Sequence, residues 1–211
     1  MVTETREAPY DVKRELRTLY APKNRDWEPV TVPPQRFLAV AGSGDPNTAP
    51  AYAEAVEALY AVAYTVKFAS KRAGRDLVVG PLEGLWYADD ASVFAARDKA
   101  AWSWTMLISQ PEWVTDALVT ESIAAVGAKK RSLPALDLVR MERLDEGHCL
   151  QLLHVGSYDE ETPALLRLHG EVLPSAGLRE RGRHHEVYLG DPRRTPPQKL
   201  KTVLRQPVEP V

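Results

Sequence analysis

The chain has 211 residues, 44% of them hydrophobic and 27% charged, with a formal net charge of −2. Such a chain builds one large domain or two small packed ones around a real core, which excludes a disordered protein. The near-neutral charge leaves no electrostatic footprint for nucleic acid, and the basic run Lys129-Lys130-Arg131 suits the C-terminus of a helix instead. Cys149 is the sole cysteine, so an intrachain disulfide and a cysteine-based zinc site are excluded. No run approaches ~18 apolar residues and the N-terminus lacks an apolar signal core. A cytoplasmic protein with no membrane partner is the expectation.

Residues 1–35 are charged and punctuated by Pro22, Pro29, Pro33 and Pro34, which reads as an N-terminal arm with one strand near 13–20. No helix-turn-helix precedes the rest, which weighs against a DNA-binding regulator. The run QRFLAVAG at 35–42 is short, apolar and glycine-terminated, the pattern of a buried strand. A turn-rich loop leads to Pro50, placed to open a helix whose apolar stripe is Tyr52, Val56, Leu59, Ala63 and Val66. LVVGPLEGLWYA at 77–88 is apolar but interrupted by Gly80-Pro81 and Gly84, so it reads as a bent strand approached closely by another group. After a charged loop at 89–100, AWSWTMLISQ at 101–110 alternates with period two and puts Trp102, Trp104, Met106 and Ile108 on one face. A connecting helix is expected over about 111–130.

The pattern then recurs. CLQLLHVG at 149–156 is a glycine-ended strand, Thr162-Pro163 opens a helix lined by Leu165, Leu168 and Val172, and strands follow at 185–190 and 199–206. Gly42-Ser43-Gly44-Asp45 before Pro50-Ala51 has its counterpart in Gly156-Ser157-Tyr158-Asp159 before Pro163-Ala164. The reading is an α+β fold of duplicated strand-helix-strand-strand modules related by a pseudo-two-fold axis, with a ligand cleft between them. Module one spans about 36–110 and module two about 148–207, within one domain over 36–211.

In HHEVYLGD at 184–191, Glu186 and Tyr188 leave the same side of a strand. Either both face solvent, or they face the tryptophans across the cleft, where burial would raise the carboxyl pKa and ready it for acid–base work. Trp86, Trp102 and Trp104 are either core packing or the walls of a cage for a planar hydrophobic or cationic ligand. Tyr60 and Tyr64 close the end of that pocket or finish a helix–sheet contact. His148, His154, His169, His184 and His185 assemble no metal site, no GxSxG nucleophile motif, P-loop or dinucleotide glycine signature is present, and no cofactor is expected. Ser43 and Ser157 lie in turns without an evident base.

The duplication, with PLEGLWY at 81–87, HVGSYDEE at 154–161 and HHEVYLGDPRRTPPQKLKTVLR at 184–205, resembles the GyrI-like small-molecule-binding proteins. The resemblance covers about 35 to the C-terminus and implies a cleft for hydrophobic xenobiotics. A stand-alone subfamily similar to this chain hydrolyses the cyclopropane of DNA-alkylating antibiotics of the yatakemycin and CC-1065 type. The resemblance places that subfamily's cleft glutamate at Glu186 and its aromatic cage at Trp86, Trp104 and Tyr188; Trp102 falls outside the motif. In this reading Glu186 handles the water or the leaving oxygen's proton, and Tyr188 donates to the substrate carbonyl. The competing readings are a non-catalytic drug-sequestering protein and an inhibitor of a protein target such as DNA gyrase.

Overall fold

The computed structural model describes residues 8–88, 98–129 and 132–211. The loop expected over 89–100 therefore lies mostly outside the described residues, as do Lys130 and Arg131. Period-two alternation organises the described part. Its nine strands are Glu28–Val32 (β1), Gln35–Ser43 (β2), Leu82–Tyr87 (β3), Ser103–Gln110 (β4), Arg140–Leu144 (β5), Gly147–Val155 (β6), Leu178–Glu180 (β7), His184–Tyr188 (β8) and Lys201–Pro210 (β9). They form an antiparallel sheet in the order β1-β6-β9-β8-β3-β4-β2-β5, with β7 on the end of β9. At its centre β3 lies against β8, with Gly84 opposite Glu186 and Trp86 opposite His184.

The pleat sends alternate residues to two different environments. On the front, Leu38, Val40, Trp104, Met106 and Ile108 meet the long helix Pro50–Arg72 (α3), which buries Ala55, Ala58, Leu59, Val62, Ala63 and Val66 at helical spacing. Helix Asp116–Gly127 (α4) packs beside it. Its start differs from the expected Pro111, because the Thr115 side chain accepts from the Leu118 amide and Asp116 occupies the first turn, fixing the N-terminus there. In the second half, Leu150, Leu152 and Leu204 meet Leu168 and Leu173, beyond the helix Thr162–Arg167 (α5).

The rear is covered by residues 8–20. The strand expected near 13–20 is two single helical turns, Val12–Glu15 (α1) and Arg17–Tyr20 (α2), because Asp11 caps the Lys13 amide at 3.0 Å. Val12, Leu19 and Tyr20 are buried against Val187 and Val203. Residues 28–32, expected within the arm, form β1 and pair with β6. No helix among the described residues is long and apolar enough to cross a membrane.

Candidate active site

Front-face residues of β3 and β8 converge. The Trp86 indole Nε1 donates to the Tyr188 hydroxyl at 2.9 Å, and that hydroxyl donates to Glu186 Oε2 at 2.8 Å. The relay needs Gly84 between its parts. A Cβ there would stand 3.0 Å from Trp86 Nε1 and 3.1 Å from Tyr188 Oη, so the glycine that interrupts the apolar run marks a close approach of side chains.

Aromatic rings surround the relay. Tyr52 of α3 stacks on Trp86 with centroids 6.5 Å apart and meets Trp104 edge-on at 5.3 Å. Trp102 meets Trp86 edge-on at 5.6 Å, and Tyr158 meets Tyr188 in the same way at 5.6 Å. Trp104 is a floor rather than a wall: it is 1% exposed, donates to the Gly44 carbonyl and lies over Gly42, where any Cβ would strike its ring at 2.3 Å. Tyr60 and Tyr64 lie elsewhere on α3, packed on one another at 6.4 Å, with Tyr64 exposed. Among the described residues, no hydrogen bond or ring contact joins either to Glu186, Tyr188 or an indole.

A second carboxyl group joins Glu186. The turn Tyr158–Glu161 is fixed by a capping box, in which Glu160 accepts from the Ser157 amide at 2.7 Å and from its hydroxyl at 2.9 Å. The turn sends Tyr158 to Tyr188 and buries Glu161, whose Oε1 has no hydrogen-bond partner among the described residues. Burial raises Glu161 to about 9, with the charges of Glu186 and Asp159 adding and Thr202 opposing. Burial likewise raises Glu186 to about 7, partly offset by the Tyr188 hydrogen bond, the His185 charge and the Trp86 hydrogen bond. His184, whose Nε2 lies 3.6 Å from Glu186 Oε1, is pushed down to about 4 by burial and so is neutral near pH 7.

Sequence reasoning missed Tyr52, Tyr158 and Glu161. Tyr52 is legible only as part of the helix stripe. In the run Asp159-Glu160-Glu161 nothing but the turn geometry decides which acid caps and which is buried. Where the cleft is expected stands an aromatic cluster, in which the Glu186 side chain keeps 13% exposure and Tyr158 is exposed. Two surface cavities lie elsewhere, one beside Leu144, Glu146 and Arg183 and the other beside Val30, His148 and Leu178; neither is lined by Glu186 or Tyr188.

The fold and site thus define a mixed α/β protein with a large antiparallel sheet and an acid-bearing aromatic patch at its centre. The GyrI-like small molecule binding domain matches residues 27–209, and the chain belongs to that family. An uncharacterised conserved protein from Listeria innocua is 37% identical, with a TM-score of 0.86, covering 95% of this chain and 100% of its own. A structure described as a hydrolase from Listeria innocua is also 37% identical, with a TM-score of 0.82 and the same coverage. The EcmrR C-terminal domain, 10% identical at a TM-score of 0.55 over 88% of this chain and 99% of its own, shares the fold. No match is found among curated proteins.

Proposed function

We propose that this small-molecule-binding protein is a hydrolase that takes a planar hydrophobic molecule between its aromatic rings and opens an activated cyclopropane of the yatakemycin and CC-1065 type. The observation that carries the reading is the Trp86–Tyr188–Glu186 relay facing a second buried acid, Glu161. Supporting it are the hydrolase description of a 37% identical protein and a strand order that mirrors about the β3–β8 pair, as two repeated modules would produce.

The two carboxyl groups divide the work because their environments hold protons to different pH. Glu186, at about 7, is substantially ionised near neutrality and is the base; Glu161, at about 9, keeps its proton and is the acid. Water adds its oxygen to the cyclopropane carbon while Glu186 takes a proton from it. The strained C–C bond breaks, its electron pair restores an aromatic ring, and the dienone oxygen becomes a phenol by taking a proton from Glu161. The net change is addition of one water. Tyr188 has its proton committed to Glu186 Oε2, so it orients the base, a different task from donation to the substrate carbonyl. Rings of Trp86, Trp102, Tyr52 and Tyr158 hold the planar substrate in attack geometry.

Incubation of the protein with a cyclopropane-bearing alkylator should yield a product heavier by one water, identified by mass spectrometry. Glu186→Gln should slow its formation by about 10²–10⁴. Return of unchanged compound with quenched tryptophan fluorescence would make the protein a sequestering binder instead, and equal rates in the two proteins would remove Glu186 from the chemistry.

A further inference from the structure

On the rear of the same two strands lies a cluster that the proposed reaction does not use. His185, fully buried, has Nδ1 2.9 Å from Glu146 Oε1 and Nε2 3.0 Å from Glu83 Oε2. With a carboxyl group at each nitrogen, a doubly protonated ring satisfies both contacts by donating from each side, while Arg205 Nη1 also approaches Nδ1 at 3.5 Å. Glu83 comes from β3, Glu146 from the turn between β5 and β6, and Arg205 from β9, where it is the register partner of His185. Arg205 Nη1 donates to Glu146 Oε2 at 3.3 Å, its Nε and Nη2 donate to Gln151 Oε1 at 3.0 and 2.9 Å, and Nη2 also donates to the Leu19 carbonyl at 3.0 Å. The Tyr20 hydroxyl of α2 donates to Glu83 Oε1 at 2.9 Å, and the Phe37 ring of β2 sits edge-on to the imidazole.

Two carboxylates and two cations, each at most 6% exposed as a residue, make a closed set whose formal charges cancel. The set stands directly behind the site: His185 adjoins Glu186 in the chain, and Glu83 adjoins Gly84, the residue opposite Glu186. On the front, Glu186 interacts with Tyr188 and His184 from its own strand, Trp86 from β3, Tyr52 from α3, and Tyr158 and Glu161 from the capped turn. The front holds no other fixed cation among these neighbours, because His184 is neutral.

Resting on the reading of Glu186 as the base, we infer that His185 is a positioning residue for it: the Glu83–His185–Glu146 bridge pins β8 to β3 and holds a fixed positive charge behind the Glu186 carboxyl group. Burial opposes that charge, but Glu146 and Glu83 outweigh the burial. Charge behind the strand is felt by Glu186 because His185 is fully buried and the protein between them screens far less than bulk solvent would.

The inference makes a prediction of sign that packing alone does not. His185→Gln leaves the rear set one charge negative, so the pH midpoint of Glu186 should rise by about one unit, a tenfold change in proton affinity. Glu83→Gln leaves the set one charge positive, and the midpoint should fall by a similar amount. Both midpoints are read by ¹³C NMR of labelled glutamate side chains, with Glu186→Gln assigning the resonance, so no substrate is needed. Shifts in the same direction, or none, would overturn the inference while leaving the hydrolase reading intact. Should either variant fail to fold, ¹⁵N NMR of the His185 ring in the unaltered protein decides: both nitrogens protonated at pH 7 is the expected result, and a neutral ring overturns it.

Discussion

The front and rear of the β3–β8 pair bury acids in opposite ways. On the rear, Glu146 sits between His185 and Arg205; burial raises its proton affinity, but those two cations outweigh it and hold the carboxyl at about 2. On the front, Glu186 and Glu161 are buried among phenols and indoles, and burial wins. The same sheet thus carries an acid of lowered proton affinity on one side and acids of raised proton affinity on the other. The difference teaches that burial alone does not set an acid's proton affinity. What matters is whether a cation was built in beside it.

The strongest way to break this comparison is to remove a rear cation. Arg205→Met should leave Glu146 short of a partner and strand the acceptors of Gln151 and Leu19, costing about 3–5 kcal/mol in urea unfolding. Glu186→Gln on the front should cost far less, since an amide keeps the Tyr188 contact and no counter-ion is left behind. Comparable losses would show that the two faces are built alike.

The pH dependence of stability separates the faces by sign. Glu186 holds its proton to about 7 when folded, against an ordinary value of 4.5. Between those values the folded chain carries the extra proton, so this group's contribution falls by about 3 kcal/mol as pH rises from 4.5 to 7. Glu146 runs the other way: its contribution is present above 4.5 and is lost as pH falls toward 2. Urea melts of the unaltered chain and Glu186→Gln across pH 4–8 should therefore diverge, with the variant losing less stability as pH rises. Parallel curves would mean that Glu186 titrates normally.

Gly84→Ala sharpens the comparison by touching the front alone. The added methyl lands 3.0 Å from Trp86 Nε1 and 3.1 Å from Tyr188 Oη and must part them. A stability cost of about 1–2 kcal/mol is expected, together with loss of the Tyr188–Glu186 alignment. The readout is a lower Trp86 fluorescence response to ligand and a slower reaction.

Much of this front was legible in the sequence because periodicity is local. Alternation put Glu186 with Tyr188 and Trp104 with Met106, and the glycine break in LEGLWY announced a close approach. The rear was not legible. His185, Glu83, Glu146 and Arg205 are scattered over the chain, and only the strand order β9-β8-β3 brings them together. Nor do residues 13–20 betray helical turns, since their short pattern is compatible with either structure until Asp11 caps Lys13. β5 and β7 carry too much charge to read as strands; they are recruited by the edges of β2 and β9.

The smallest expected effect distinguishes tyrosines that the sequence treats alike. Tyr52 is enclosed between Trp86 and Trp104, and burial together with the Glu186 charge raises its pKa well above the ordinary value. Tyr64 is exposed and touches Tyr60. Tyr52→Leu keeps apolar bulk but removes a stacked ring, so affinity for a planar aromatic ligand should fall by about 1 kcal/mol, near fivefold. Tyr64→Ala should leave affinity within twofold, because its exposed ring packs on Tyr60. Titration of tryptophan fluorescence with one planar ligand measures both. If the Tyr64 variant weakened binding as much as the Tyr52 variant, the ligand would have to lie along the exposed face of α3, and the relay at Glu186 would stand outside the binding site.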